Sequence, residues 1–172
     1  MRTKKFQNRS SIMYFCKAIS TFSRTGSKKL PNCWSGNCSA APATSSLLMM
    51  LDIALKEQDM HAASYIAQVS EQTAHLYDLW SYNSYVAGFQ LAVSARDESE
   101  TLRYLQKLLE ASQTSWDISA SPLYRHLPEN GGAFLKDHFP AGLANSMKTD
   151  ECLTFLHDNP KFWELVKKYA ND

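Results

Sequence analysis

Two apolar stripes of helical period, separated by a short polar stretch, constrain this chain more than any other feature. The first stripe is Leu79, Tyr82, Val86, Phe89 and Val93, recurring every three or four residues. The second is Thr101, Leu102, Leu105, Leu108, Leu109 and Ser112, in cleaner form. Between them lies Arg96-Asp97-Glu98-Ser99-Glu100. Asp97 is placed to cap the second helix through its carboxylate, and Glu100, three residues on, to complete a capping box. Facing apolar stripes and a short connection predict an antiparallel helical hairpin over Leu79 to Ser112.

The same grammar precedes it. Thr44 to Ser46 offer caps, and Leu47, Leu48, Met50, Leu51, Ala54 and Leu55 follow with helical spacing. Gln58-Asp59 predicts an end to that helix and a cap for the next, which carries Ala62, Ala63, Ile66, Val69, Thr73 and Leu76. Small residues at Ala62, Ala63, Gly88 and Ala92 predict close approach of neighbouring helices. Beyond Ser112 the pattern loosens. Ser121 to Leu127 reads as a helical turn, Pro128 to Gly132 as a loop, and Ala133 to Phe139 as the start of a helix that Pro140 interrupts or restarts. Near the C-terminus, Asp150 caps a short helix with Cys152, Leu153, Phe155 and Leu156. Asn159-Pro160 then opens another, with Phe162, Leu165, Val166 and Tyr169 on one face and Lys167 and Lys168 at its end.

Charge divides the chain. The first 51 residues hold eight basic residues and no acid, whereas the remaining 121 hold 10 basic and 17 acidic residues. Residues 1–44 read as a basic tail or linker and residues 45–172 as the folded domain. In the tail, Ile12, Phe15, Cys16, Ile19 and Phe22 share one helical face, with Arg9, Lys17 and Arg24 around it. Gly26, Pro31, Gly36 and Pro42 then give linker composition. A disordered tail, an organellar presequence and an arm for nucleic-acid phosphates all fit this composition. The arm reading rests on Arg2, Lys4, Lys5, Arg9, Lys28 and Lys29.

Catalytic chemistry finds no support. The histidines His61, His75, His126, His138 and His157 include no pair at metalloprotease spacing, and no glycine-rich phosphate loop is present. Cys152 and His157 stand five apart and turn to different sides of a helix. Asp137 with Glu129, and Asp150 with Glu151, read as solvated charge. Cys33 and Cys38 lack zinc-knuckle spacing and a second pair, so no metal or cofactor is expected. Unpaired thiols fit a reducing, cytoplasmic setting, and no apolar run approaches the length of a membrane span.

The aromatic group Tyr77, Trp80, Tyr82 and Tyr85 reads either as packing between helices or as the anchor of a recognition surface. In the second case Trp80, Tyr82, Asn83, Tyr85, Gln90 and Arg103 are the expected contacts with a protein or peptide partner.

Two family resemblances follow. The paired hairpins over residues 46–112 resemble tetratricopeptide-type repeats. Ala62, Ile66 and Val69, and again Thr101, Leu105 and Leu108, partly match the small–bulky–bulky pattern of a repeat's second helix. The sets stand 39 residues apart, and the tryptophan–leucine–glycine signature of the first helix is absent. The order of hairpins, the Ser121 to Leu127 segment, a loop and two short helices also resembles the C-terminal helical half of bacterial helix-turn-helix transcriptional regulators. The expectation is therefore an all-α, tetratricopeptide-like domain of about six helices. Its expected function is non-enzymatic binding of a protein or peptide. The alternative is a fragment or relative of a transcriptional regulator whose basic arm contacts nucleic acid.

Overall fold

The computed structural model describes residues 37–125 and 133–170. The described residues form α-helices and short 3-10 turns, without a strand. The helices are α1 (Asn37–Lys56), α2 (Met60–Leu76), α3 (Tyr82–Ala95), α4 (Glu98–Ser112), α5 (Ala133–Thr149) and α6 (Pro160–Tyr169). Turns of 3-10 helix occupy Ile118–Ala120, Pro122–Tyr124 and Glu151–Leu156.

From α1 to α4 each helix packs chiefly on the next in sequence, so the chain runs as antiparallel hairpins. The connections are short because the caps are local. Asp59 accepts from the Ala62 N–H at 2.9 Å, Asp97 from Glu100 at 3.0 Å, Asp150 from Cys152 at 2.9 Å and Asn159 from Lys161 at 3.1 Å. Each satisfies an N–H that the first helical turn leaves without a partner.

The capping box at Asp97 forms by half. The Asp97 N–H, which Glu100 would have to reach, already donates to the Ala92 carbonyl at 3.1 Å. That bond closes α3 in a Schellman arrangement, with Arg96 in the left-handed region at φ 52°. Glu100 turns instead to Arg103 one turn on, at 2.9 Å.

Two other expectations are corrected. α1 begins at Asn37, not at Thr44 to Ser46, and so crosses the 44/45 boundary. Ala40, Ala41 and Ala43 supply helix propensity through Pro42. α5 runs through Pro140 without interruption. An interior proline costs about 3 kcal/mol. Burial of Leu143 and Met147 from the same helix contributes about 1.5–3 kcal/mol each, enough to offset it.

The larger core joins Tyr82, Phe89 and Val93 of α3 to Leu105, Leu108 and Leu109 of α4, Leu143 and Met147 of α5, Leu153 and Leu156, and Phe162 and Val166 of α6. A smaller core holds Leu51, Ala54, Ala63, Ala67 and Ala87, where α1, α2 and α3 meet over mostly alanine. α3 is therefore covered on two sides. This explains why Ser84, Gly88 and Gln90, which lie off its apolar stripe, are also buried.

Candidate functional site

The stretch that follows α4 returns to the turn between α2 and α3 and is fastened to it. Asp78 sits in that turn in the left-handed region, at φ 47°, which turns its carbonyl and carboxylate toward residues 113–124. The Trp116 indole N–H donates to the Asp78 carbonyl at 2.8 Å, and the Ser121 hydroxyl donates to the Asp78 carboxylate at 2.7 Å. The Tyr124 hydroxyl donates to the Tyr77 carbonyl. The Trp80 indole N–H donates to Thr114 Oγ1 at 3.0 Å, and Thr114 Oγ1 donates to the Ala111 carbonyl at 2.7 Å. Edge-to-face packing of Trp116 on Tyr124, 5.1 Å between ring centres, completes the junction.

Between the two segments lies a shallow depression of about 350 Å³, lined by His75, Asp78, Trp80, Ser115, Trp116 and Asp117 among others. The Ser119 hydroxyl, 2.6 Å from the Asp117 carboxylate, holds its pKa below the usual value, and backbone N–H groups of Ser119 and Ala120 add to this. Asp117 is therefore an anion at neutral pH. Two half-buried indoles beside two carboxylates make a surface suited to a cation carried on an apolar stem.

The six residues singled out as partner contacts divide between two places. Trp80 lines the depression and stacks on Tyr82, 5.0 Å between centres, with Phe139 of α5 against both rings. Tyr82 is 2% exposed and Gln90 8%, so both belong to the interior and neither presents a surface to a partner. Packing of α3 between α2 and α4 is the reason. Asn83 is half-buried in the first turn of α3. Tyr85 lies half-buried under the Lys107 ammonium, at 5.2 Å. Arg103 pairs with Glu100 at 2.5 Å and lies 4.3 Å from the centre of the Tyr104 ring. Trp116, Asp117 and Asp78 are the residues that the apolar periodicity passes over. The signal for them is a lone tryptophan in an otherwise polar stretch, Gln113-Thr114-Ser115-Trp116-Asp117.

Arg2, Lys4, Lys5, Arg9, Lys28 and Lys29 lie outside the described residues, as do Cys16, Cys33 and His126. Cys152 is a half-buried thiol, and His157 stacks on Phe162 at 5.6 Å. Among the described residues no group of three His, Cys, Asp or Glu is placed to hold a metal ion. No helix among them is long and apolar enough to cross a membrane. Comparison of the chain with protein families, with curated proteins and with solved structures gives no match.

Proposed function

We propose that this protein is a non-enzymatic binding module that holds a basic segment of a protein or peptide in the depression between Trp80 and Trp116. The observation that carries this is the fastening of Asp78, Trp80 and Trp116 by hydrogen bonds, which fixes aromatic faces and negative charge before a partner arrives. A surface ordered in advance loses less entropy on binding. The indoles take the apolar stem of a lysine or arginine, and Asp117 takes its charge. A tetratricopeptide-like scaffold, with its hairpins presenting a peptide surface, is part of the same proposal.

Fluorescence titration with a short glycine–serine peptide carrying two arginines tests it, against the same peptide carrying two glutamates. The arginine peptide is expected to bind, and Asp117→Asn and Trp116→Ala to weaken it at least about fivefold, roughly 1 kcal/mol or more. Equal binding of both peptides, or binding indifferent to both substitutions, rejects the cleft.

A second reading draws on the eight basic residues without an acid in the first 51. In it, that arm meets nucleic-acid phosphates, as in a relative of a transcriptional regulator. Binding of duplex DNA would then fall steeply with salt and vanish on removal of residues 1–36. Binding that survives the truncation removes the arm from consideration.

A further inference from the structure

Hydrogen bonding within the Trp80–Trp116 depression uses up its indole donors and leaves acceptors. The Trp80 indole N–H is committed to Thr114 Oγ1 at 3.0 Å, and the Trp116 indole N–H to the Asp78 carbonyl at 2.8 Å. An indole has no other donor, so what these two rings still offer is π surface. The Thr114 hydroxyl is spent on the Ala111 carbonyl at 2.7 Å. Negative charge comes from Asp78 and Asp117, both exposed and both lining the depression. An ionised carboxylate can accept about four hydrogen bonds. Asp78 takes one from the Ser121 hydroxyl at 2.7 Å and keeps most of its accepting capacity. Asp117 is more fully occupied, by the Ser119 hydroxyl at 2.6 Å and by backbone N–H groups, and contributes chiefly charge. The hydroxyls of Ser81 and Ser115 and the imidazole of His75, also in the lining, can accept as well as donate.

We propose that this depression selects arginine over lysine in the segment it holds, and that the Asp78 carboxylate sets the preference. The proposal rests on the basic-segment reading above and adds which side chain the segment must carry. A guanidinium presents its N–H donors in one plane and has no acceptor, which complements a lining rich in acceptors. Its flat, weakly hydrated face stacks on an indole while its edge directs N–H groups to a carboxylate. An ammonium has fewer donors, gathered on a compact and strongly hydrated centre. The depression is shallow, at about 350 Å³, and open to solvent, so it strips little water from such a centre. Attraction to the two carboxylates is similar for both cations, because each carries one positive charge. Stacking and donor number are what separate them.

A peptide series on the full native chain tests the preference. One glycine–serine frame carries two arginines, two lysines, two citrullines, two asymmetrically dimethylated arginines or two glutamates, and each is titrated by fluorescence at the same ionic strength. The arginine peptide is expected to bind at least about fivefold more tightly than the lysine peptide. Citrulline keeps the shape without the charge and should bind no better than glutamate. Dimethylarginine keeps the charge and the plane but loses N–H donors, and should bind at least about threefold more weakly than arginine. Arginine and lysine peptides that bind equally, both above the glutamate peptide, overturn the selection and leave the basic-segment reading standing. Dimethylarginine binding as tightly as arginine also overturns it, since donors would then play no part. If neither cationic peptide exceeds the glutamate peptide, both readings fall. A variant adds a check on Asp78. In Asp78→Asn the amide oxygen can still accept from Ser121, so the junction keeps its tie while the charge is lost. The preference for arginine should shrink in that variant, and an unchanged preference refutes the role of this carboxylate.

Discussion

The Tyr104 ring occupies the space where a side chain on Gly88 would begin. A Cβ built on Gly88 would fall 2.4 Å from Tyr104 Cζ, well inside contact distance. Here α3 and α4 approach through a glycine on one helix and an aromatic ring on the other.

That relationship gives a prediction with opposite signs in two backgrounds. Glycine inside a helix costs about 0.5–1 kcal/mol relative to alanine. Gly88→Ala in the native chain must displace the Tyr104 ring, at a cost of about 1–3 kcal/mol, so a net loss of stability is expected. In a Tyr104→Ala background the same change should stabilise, by up to about 1 kcal/mol. Urea denaturation of the four proteins measures the coupling. Equal effects in both backgrounds would show that the ring does not set the helix spacing.

A second prediction concerns a hydroxyl. Thr101 is fully buried in the first turns of α4, and its Oγ1 has no hydrogen-bond partner. A buried polar atom without a partner costs about 1–3 kcal/mol. Thr101→Val keeps the shape and removes the polar atom, and should raise stability by about 1 kcal/mol. Thr101→Ser keeps the hydroxyl, loses the methyl group, and should lower stability. If both lower the melting temperature, the hydroxyl has a partner in solution.

The hairpins were legible because their signals are local and redundant. The periodic stripes of α3 and α4 and the caps at Asp59, Asp97, Asp150 and Asn159 each involve residues within one turn of one another. What resisted reading was set by contacts distant in sequence. Gln90 looks like a surface residue until α2 and α4 are seen to cover α3 from both sides, whereas Tyr82 stood on the apolar stripe and only its alternative role as a partner contact needed the structure to decide it. The Trp116–Asp78 tie joins positions 38 residues apart, across loops that carry no period. Glu100 misled for a related reason. The motif was present, but the preceding helix had already taken the N–H it needed.

Two of the three non-glycine residues in the left-handed region among the described residues separate backbone strain from a side-chain tie. Arg96 ends α3 at φ 52°, and Asp78 follows α2 at φ 47°. The left-handed region costs a residue with a Cβ about 1–2 kcal/mol. Arg96→Gly relieves that strain and should stabilise by up to about 1 kcal/mol. Asp78→Gly relieves a comparable strain but removes the acceptor for Ser121, worth about 1.5–3 kcal/mol for a charged group. It should therefore be neutral to destabilising, and should raise hydrogen exchange in residues 113–124. If Asp78→Gly stabilises as much as Arg96→Gly, the carboxylate does not hold the junction.

The last prediction uses alkaline pH to probe the same junction. Burial of the Tyr124 phenol raises its pKa above the ordinary 10.0, and the negative charge of Asp78 and the neighbouring Tyr77 push in the same direction. The native state therefore holds this proton more tightly than the unfolded chain. The resulting stability is fully present below pH 10, and is lost as pH rises through the higher native value. Tyr124→Phe lacks the bond to the Tyr77 carbonyl and should be less stable at pH 7 by about 1 kcal/mol. It should also lose less between pH 10 and pH 11 than the native protein does, because it has no phenol to ionise at this position. The quantity to measure is the difference in melting temperature between native and variant proteins from pH 7 to pH 11, since the other tyrosines and lysines titrate in both. A gap that narrows above pH 10 places the proton on Tyr124. A gap of constant width would mean that this phenol is solvated and the junction open.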